Sequence, residues 1–355
     1  MRVAVLMSDT GACGAYRMLW PAESVKQIRP EWDVQVYSPR SVAFYTDRAT
    51  GQLAQVAGLP DVSELDLVVL HRVGKPILLQ MMRKVQASGC AVVLDNDDAM
   101  WAIDKRNAAW AAWNNTQTHW RVTDEAARIA DLCTSTTPAL SKRYGDGRSE
   151  VLPNVVPEFA LDGPAAYELE RDRPTIGWSG QLSTHPGDPL VVGDAVKQAV
   201  DDTGCLVVGQ PDAAGLQKLW GVPVEPLAPA QLGPDYYTSL RAFDVALVPL
   251  RDTPFNRAKS ALKALECSAA GCAVVASPTP ANRELARTLP ILLASSPAEW
   301  REHVTRLVRT PEERRERGSE ARFLIQQAHT FETQATRWAN AWSRAVARRA
   351  RLVAV

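Results

Sequence analysis

Short runs of consecutive apolar residues alternate along this chain with stretches where apolar positions recur every three or four residues. Arg2–Met7, Val34–Tyr37, Leu67–His71, Ala91–Asp95 and Asp131–Ser135 are of the first kind. Their length and unbroken apolar character predict strands buried on both faces, as in a parallel sheet. Ile77–Ser88 is of the second kind, with Ile77, Leu78, Met81, Met82 and Val85 at helical spacing. The pattern then restarts. Thr175–Ser179, Cys205–Gly209, Asp244–Pro249 and Ala273–Ser277 predict strands, and Pro189–Thr203, Ala213–Trp220, Arg257–Ala270 and Asn282–Thr288 predict helices. Such β-α alternation implies a doubly wound parallel sheet, here twice over.

Between the two series, residues 156–173 hold Pro157, Gly163, Pro164 and several charges without periodicity, which marks a link. The expected fold class is α/β, with two Rossmann-like domains spanning 1–156 and 157–329. Two helices, each opened by a proline, are expected at Pro297–Thr310 and Pro311–Gln327. A last helix of about 330–355 places Trp338 and Trp342 four residues apart on one apolar stripe.

The chain has 355 residues, which suits two cores better than one. Lysine and arginine number 40, as do aspartate and glutamate, so no global field draws the protein to nucleic acid. The basic run Arg344, Arg348, Arg349 and Arg351 reads as a solvated helix end. Six cysteines, most beside strand-like runs and none in a CxxC pair, suit reduced thiols and a cytoplasmic protein. The apolar run after the start breaks at Ser8-Asp9, too soon for a signal peptide, and no run is long enough for a membrane span.

Ligands of parallel sheets bind beyond the carboxyl ends of the strands, so two such sheets facing each other would share one cleft. The strongest constellation follows the predicted strand at Asp244–Pro249. A polar loop ends in Asn256, a plausible N-cap, and a helix with Lys259, Ser260, Lys263 and Glu266 follows. Lys259, Lys263 and Glu266 are spaced by four and three and share a face. Free N–H groups at a helix start, joined by an ammonium, suit a diphosphate, and Glu266 suits two neighbouring ribose hydroxyls. The blander alternative is a surface helix with i,i+3 pairing of Lys263 and Glu266.

The stretch from Asp244 to Ser277 resembles the donor-binding segment of retaining glycosyltransferases of the B-fold (GT-B), family-4-like. By that resemblance Glu266 takes the donor ribose. The second glutamate usual in the family, eight residues earlier, is Ala258 here, and Lys259-Ser260 follows it, which resembles a variant branch. Val151-Leu-Pro-Asn154-Val-Val-Pro157 resembles the family's segment before the hinge. Ile176–Asp188, with Gly180, Thr184 and His185, resembles the first strand-loop-helix of the donor domain, which faces the phosphates. The last helix, about 330–355, resembles the family's C-terminal helix, which crosses back onto the first domain.

In the first half, Gly11, Ala12, Cys13 and Gly14 form a small-residue loop after the first strand, and Tyr16-Arg17 follow it. Gly14 is expected to allow close approach to the donor, and Arg17 to partner a phosphate. His71-Arg72 end the third predicted strand. Asp95, Asp97 and Asp98 crowd the end of the fourth, where like charges raise one another's pKa unless a cation is near. Asp97, Asp98, His71 and Lys259 are the expected catalytic residues, the aspartates orienting an acceptor hydroxyl or stabilising positive charge on the sugar. Ser135 ends the fifth strand as an N-cap for the helix beginning at Pro138. Among the eleven tryptophans, Trp101, Trp110, Trp113 and Trp120 fall in the polar, aromatic stretch 101–125, expected to shape the acceptor site.

The implied reaction is retaining transfer of a sugar from a nucleoside-diphosphate sugar, UDP- or GDP-linked, to a hydroxyl on a glycan, lipid-linked glycan or protein. Lys259 and the helix start stabilise the leaving diphosphate without an obligatory metal. Two competing readings stand beside it. One is a metal-dependent transferase using Asp95-Asn96-Asp97 as Asp-x-Asp. The other is a non-catalytic binder of sugar nucleotides or glycans.

Overall fold

The computed structural model describes residues 1–114, 119–145, 147–228 and 230–353. It divides into two units. The first comprises Met1–Ile103, Ala109–Asn154 and Phe331–Val355, and the second Asp104–Ala108 and Val155–Thr330.

The first unit is built on strands β1 (Arg2–Leu6), β2 (Asp33–Tyr37), β5 (Leu67–His71), β6 (Ala91–Asn96), β7 (Leu132–Ser135) and β8 (Ser149–Val151). They form one parallel sheet in the order β2-β1-β5-β6-β7-β8. Strands β3 (Ala43–Thr46) and β4 (Leu53–Ala57) make a separate antiparallel hairpin. Val3, Val5, Val69 and Val93 point to one core with Met18, Ala22 and Val25. Trp338 and Trp342 of the helix Phe331–Val353 complete that core, and both are almost fully buried. Indoles spaced by four residues give this helix a broad apolar stripe, and the sheet supplies the surface that buries it. The helix expected over about 330–355 ends in two residues that lie outside the described ones.

The second unit repeats the plan with β9 (Thr175–Gly180), β10 (Leu206–Pro211), β11 (Glu225–Pro226), β12 (Val245–Val248), β13 (Ala273–Ala276) and β14 (Leu292–Leu293). The order is β11-β10-β9-β12-β13-β14, again parallel throughout. Gly177 of β9 is required by packing, because a Cβ there would fall 2.0 Å from the ring of Phe243. The fold class read from the apolar pattern is the one found: α/β with two doubly wound parallel sheets.

Two helices differ from expectation. Pro189–Thr203 is a 3-10 turn, Asp188–Val192, followed by a helix, Ala195–Thr203. Gly193 between them has φ +60, which breaks the register. Arg257–Ala270 is likewise two pieces, Pro254–Arg257 and Leu262–Ala269. Thr253, not Asn256, caps the first piece, its side chain accepting from the Asn256 backbone N–H. Lys259 and Ser260 therefore lie in the turn between the two.

Candidate functional site

Each sheet reverses its winding once, and a crevice opens at such a reversal beyond the strand ends. In the second unit the reversal lies between β9 and β12. The loops leaving them, 181–188 and 249–261, meet there. Asp188 joins them: its carboxylate accepts from the Asn256 side-chain amide at 3.0 Å and from the Arg251 backbone N–H at 3.0 Å. The side chain of Asn256 also donates to the Arg251 carbonyl, so this residue fastens the loop instead of capping a helix.

His185 Nδ1 lies 3.0 Å from the other oxygen of Asp188. Burial pushes the His185 imidazole below its ordinary value, and the charges of Lys259 and Lys263 push the same way, against the pull of Asp188. Asp188 itself is held below the usual carboxylate range. Burial would raise it, but the hydrogen bonds from His185, Arg251 and Asn256 outweigh that. Thr184 turns its hydroxyl to the Gln181 carbonyl, and its own carbonyl accepts from Asn107 at 2.7 Å. Asp104 bonds Arg251 at 2.9 Å, so Asp104–Ala108 belongs to this loop cluster. Trp178 fills the space beside Gly180, where a Cβ would come within 2.7 Å of the ring.

The helix Leu262–Ala269 starts at this cluster with Ala261 at its N-cap and no side-chain cap. Its first-turn N–H groups and positive dipole end are an anion site in the making. Lys263 pairs with Glu266 at 2.7 Å and donates to the Tyr236 hydroxyl at 2.7 Å. Tyr236 in turn donates to Glu266 at 2.9 Å. The i,i+3 pairing is thus present, yet the helix is no surface helix, since Glu266 is buried. Lys259 sits over the Phe255 ring, 4.6 Å from its centre.

In the first unit the reversal lies between β1 and β5. His71, the last residue of β5, is buried and bridges two groups: Ser8 Oγ at 2.9 Å from Nδ1 and Asp97 at 3.2 Å from Nε2. Arg72 follows with φ +52, a left-handed backbone that a non-glycine side chain adopts at a cost of about 1–3 kcal/mol. That turn aims its guanidinium at Asp97, 2.7 Å away, and at Asp98, 3.0 Å away. Burial alone would raise the Asp97 carboxyl, but Arg72 and His71 hold it well below the usual range. The cation needed by the acidic cluster is therefore Arg72, which sequence reading placed at the site without assigning it this partner.

Three expectations fail here. Arg17 is no phosphate partner. It is fully buried, with Nε and Nη2 on Asp95 and Nη1 on the Leu152 carbonyl and Asn154. Gly14 is no open approach, since a Cβ would strike the Asp9 carbonyl at 2.0 Å. The Asp9 carboxylate already accepts from the Gly11 and Gly14 N–H groups, where an anion was expected. Finally, Thr137, not Ser135, caps the helix at Pro138.

Asp95 and Asp97 do not converge either, because each is gripped by a different arginine, Arg17 and Arg72. Among the described residues, no helix is long and apolar enough to cross a membrane. Of the stretch 101–125, residues 115–118 lie outside the described ones. Trp113 is half-buried beside Gly74, and Trp101 stacks edge-on against Tyr144.

Residues 204–340 match the family model described as Glycosyl transferase-like. No curated protein matches the chain in sequence at a significant level. Solved structures do. Sucrose-phosphate synthase from Thermosynechococcus elongatus is similar with a TM-score of 0.65 and 17% identity, over 98% of this chain and 99% of that one. HepE from Anabaena, solved with UDP and glucose, gives 0.65 and 16% over 97% and 99%. A glycosyltransferase from Rickettsia africae gives 0.64 at only 9% identity, over 97% and 98%. At such identities the likeness is one of fold, and the reaction class comes from the matched domain. Domain and fold together make this chain a glycosyltransferase of the GT-B fold.

Proposed function

We propose that the second unit binds the nucleoside diphosphate of a UDP- or GDP-sugar, and that the enzyme transfers the sugar to a hydroxyl with retention and without an obligatory metal. The observation that carries this reading is the switch point of the second sheet. There an uncapped helix start, two lysines and a buried glutamate lie within eight residues of chain, Lys259 to Glu266. The first-turn N–H groups of Leu262–Ala269 and the Lys259 ammonium take the diphosphate, whose charge grows as the glycosidic bond breaks. Lys263 adds to that field. Glu266 takes the ribose hydroxyls. Thr184, His185, Gly180 and Ser260 border the phosphates and sugar, and Asn256 keeps the loop in place through Asp188. The likeness to HepE, solved with UDP-glucose, supports a sugar nucleotide as donor. His71, Asp97 and Asp98 serve the acceptor hydroxyl or the cationic sugar. Six free cysteines suit a reducing cytoplasm.

Removing one such stabilising donor costs about a hundredfold in turnover. Lys259→Ala is therefore expected to slow release of UDP or GDP from a sugar-nucleotide panel by that order, and unchanged turnover would remove Lys259 from the site. Full activity in EDTA is expected, and its loss would restore the metal-dependent reading.

One observation favours a second reading. His71 lies between the Ser8 hydroxyl and the Asp97 carboxylate, the arrangement in which an imidazole takes a proton from a hydroxyl. A general base on the acceptor would give inversion. The anomeric coupling constant of the first-formed product, read by proton NMR, separates the two.

A further inference from the structure

We infer that the pocket at the switch point of the first unit holds the acceptor, and that this acceptor is a hydroxyl-bearing small molecule with a largely apolar, planar body. Its role as acceptor rests on the glycosyl-transfer reading above. Its chemistry rests on the pocket walls alone.

The pocket has a volume of about 630 Å³, within the range that encloses a drug-sized ligand. A polar cluster stands where β1 and β5 end: Ser8, Asp9, His71 and Arg72. Tyr37, Ser38, Lys75 and His119 add single polar groups around the rim, and the walls between them are apolar. Phe44 comes from the hairpin strand β3, Ile77 and Leu78 from the first turn of the helix Pro76–Ala87, and Trp113 from beyond β6. All four are only half-buried, so their apolar surface is left facing the pocket or solvent. Gly74 makes the aromatic wall, since a Cβ there would lie 2.6 Å from the Trp113 ring, and its absence lets the indole settle onto the backbone.

A sugar in this pocket would bring hydroxyls around its whole rim, and those facing Phe44, Ile77 and Leu78 would lose water without gaining partners. A flat apolar body loses nothing there and stacks on the aromatic side chains. One hydroxyl at the polar end would meet the Ser8–His71 pair, where the hydrogen-bonding groups are concentrated. A polar cluster at one end and walls that are mainly apolar elsewhere select a ligand that is itself divided in this way.

The test uses the full chain and two fluorescent aromatic alcohols, 4-methylumbelliferone and 2-naphthol, with methyl maltoside as the glycan probe. Both alcohols are expected to bind, the maltoside not. Trp113→Ala and, independently, Phe44→Ala are expected to weaken alcohol binding about tenfold or more with melting curves retained. Neither alcohol binding, equal binding by both variants, or a maltoside signal lost in Trp113→Ala would each overturn the inference. UDP titration and product analysis on the wild type tell this failure from failure of the underlying reading. UDP binding with no alcohol binding sinks the pocket assignment alone. Alcohol binding that depends on Trp113 and Phe44, with no transfer product from any UDP- or GDP-sugar, leaves the pocket's chemistry standing and sinks glycosyl transfer to it.

Discussion

Arg17 and Asp95 face each other through two hydrogen bonds, 2.9 Å from Nε to Oδ1 and 2.7 Å from Nη2 to Oδ2, and neither side chain is exposed. Thr134 donates to the same carboxylate, and the guanidinium lies over the Trp338 ring, 4.7 Å from its centre. One ion pair thus ties the segment after β1, the end of β6, the neighbouring strand β7 and the C-terminal helix into a single block.

Breaking a buried pair by removing one partner leaves an uncompensated charge, at a cost of about 3–5 kcal/mol. Arg17→Met is therefore expected to lower the melting temperature sharply while the folded protein binds UDP as before. Calorimetric melting and a UDP titration on the same sample check this. A stable variant with weakened UDP binding would return Arg17 to the donor site.

The pattern of apolar positions carries the architecture well where burial is two-sided. Leu67–His71 and Ala213–Trp220 are found over the residues expected, because unbroken apolar runs and clean helical spacing leave little choice. The hairpin β3-β4 escaped notice for the opposite reason. Its residues are exposed or half-buried, so no face of it imposes a period. Arg17 illustrates a different limit. Its partner lies 78 positions away, and a charge in a sequence does not say what it will face. The break in Arg257–Ala270 is of the same sort. Asn256 is drawn to Asp188, 68 positions earlier, and that long-range bond rather than local propensity fixes the turn that holds Lys259.

If Glu266 receives ribose hydroxyls, wild type will prefer UDP to 2′-deoxy-UDP, since a buried acceptor left without its donor is penalised. Glu266→Gln keeps the size and a partner for Tyr236 but removes the charge. Hydrogen bonds to charged groups are worth about 1.5–3 kcal/mol, so the preference is expected to fall about tenfold or more. Isothermal titration with both nucleotides measures it. Equal affinity of wild type for the two would exclude ribose from Glu266.

If His185 borders the donor phosphates, donor binding will be sensitive to pH. Burial first, then the charges of Lys259 and Lys263, hold its folded value below the ordinary 6.5, so the free enzyme carries it neutral at pH 7. The unfolded chain binds the proton more readily than the folded one. Stability is therefore lost as pH falls below about 6.5 and levels off once pH passes the folded value. A diphosphate beside Lys259 reverses the local field and raises the imidazole, so binding takes up a proton. Affinity for UDP is then expected to rise as pH drops from 7.5 to 6, by at most about tenfold per unit for one proton. Part of any slope belongs to the phosphate itself, and His185→Gln isolates the rest. It keeps a donor for Asp188 and cannot titrate. The variant is expected to show a shallower rise in affinity and a flatter loss of melting temperature towards pH 5. Identical pH slopes for variant and wild type would mean that His185 does not feel the bound nucleotide.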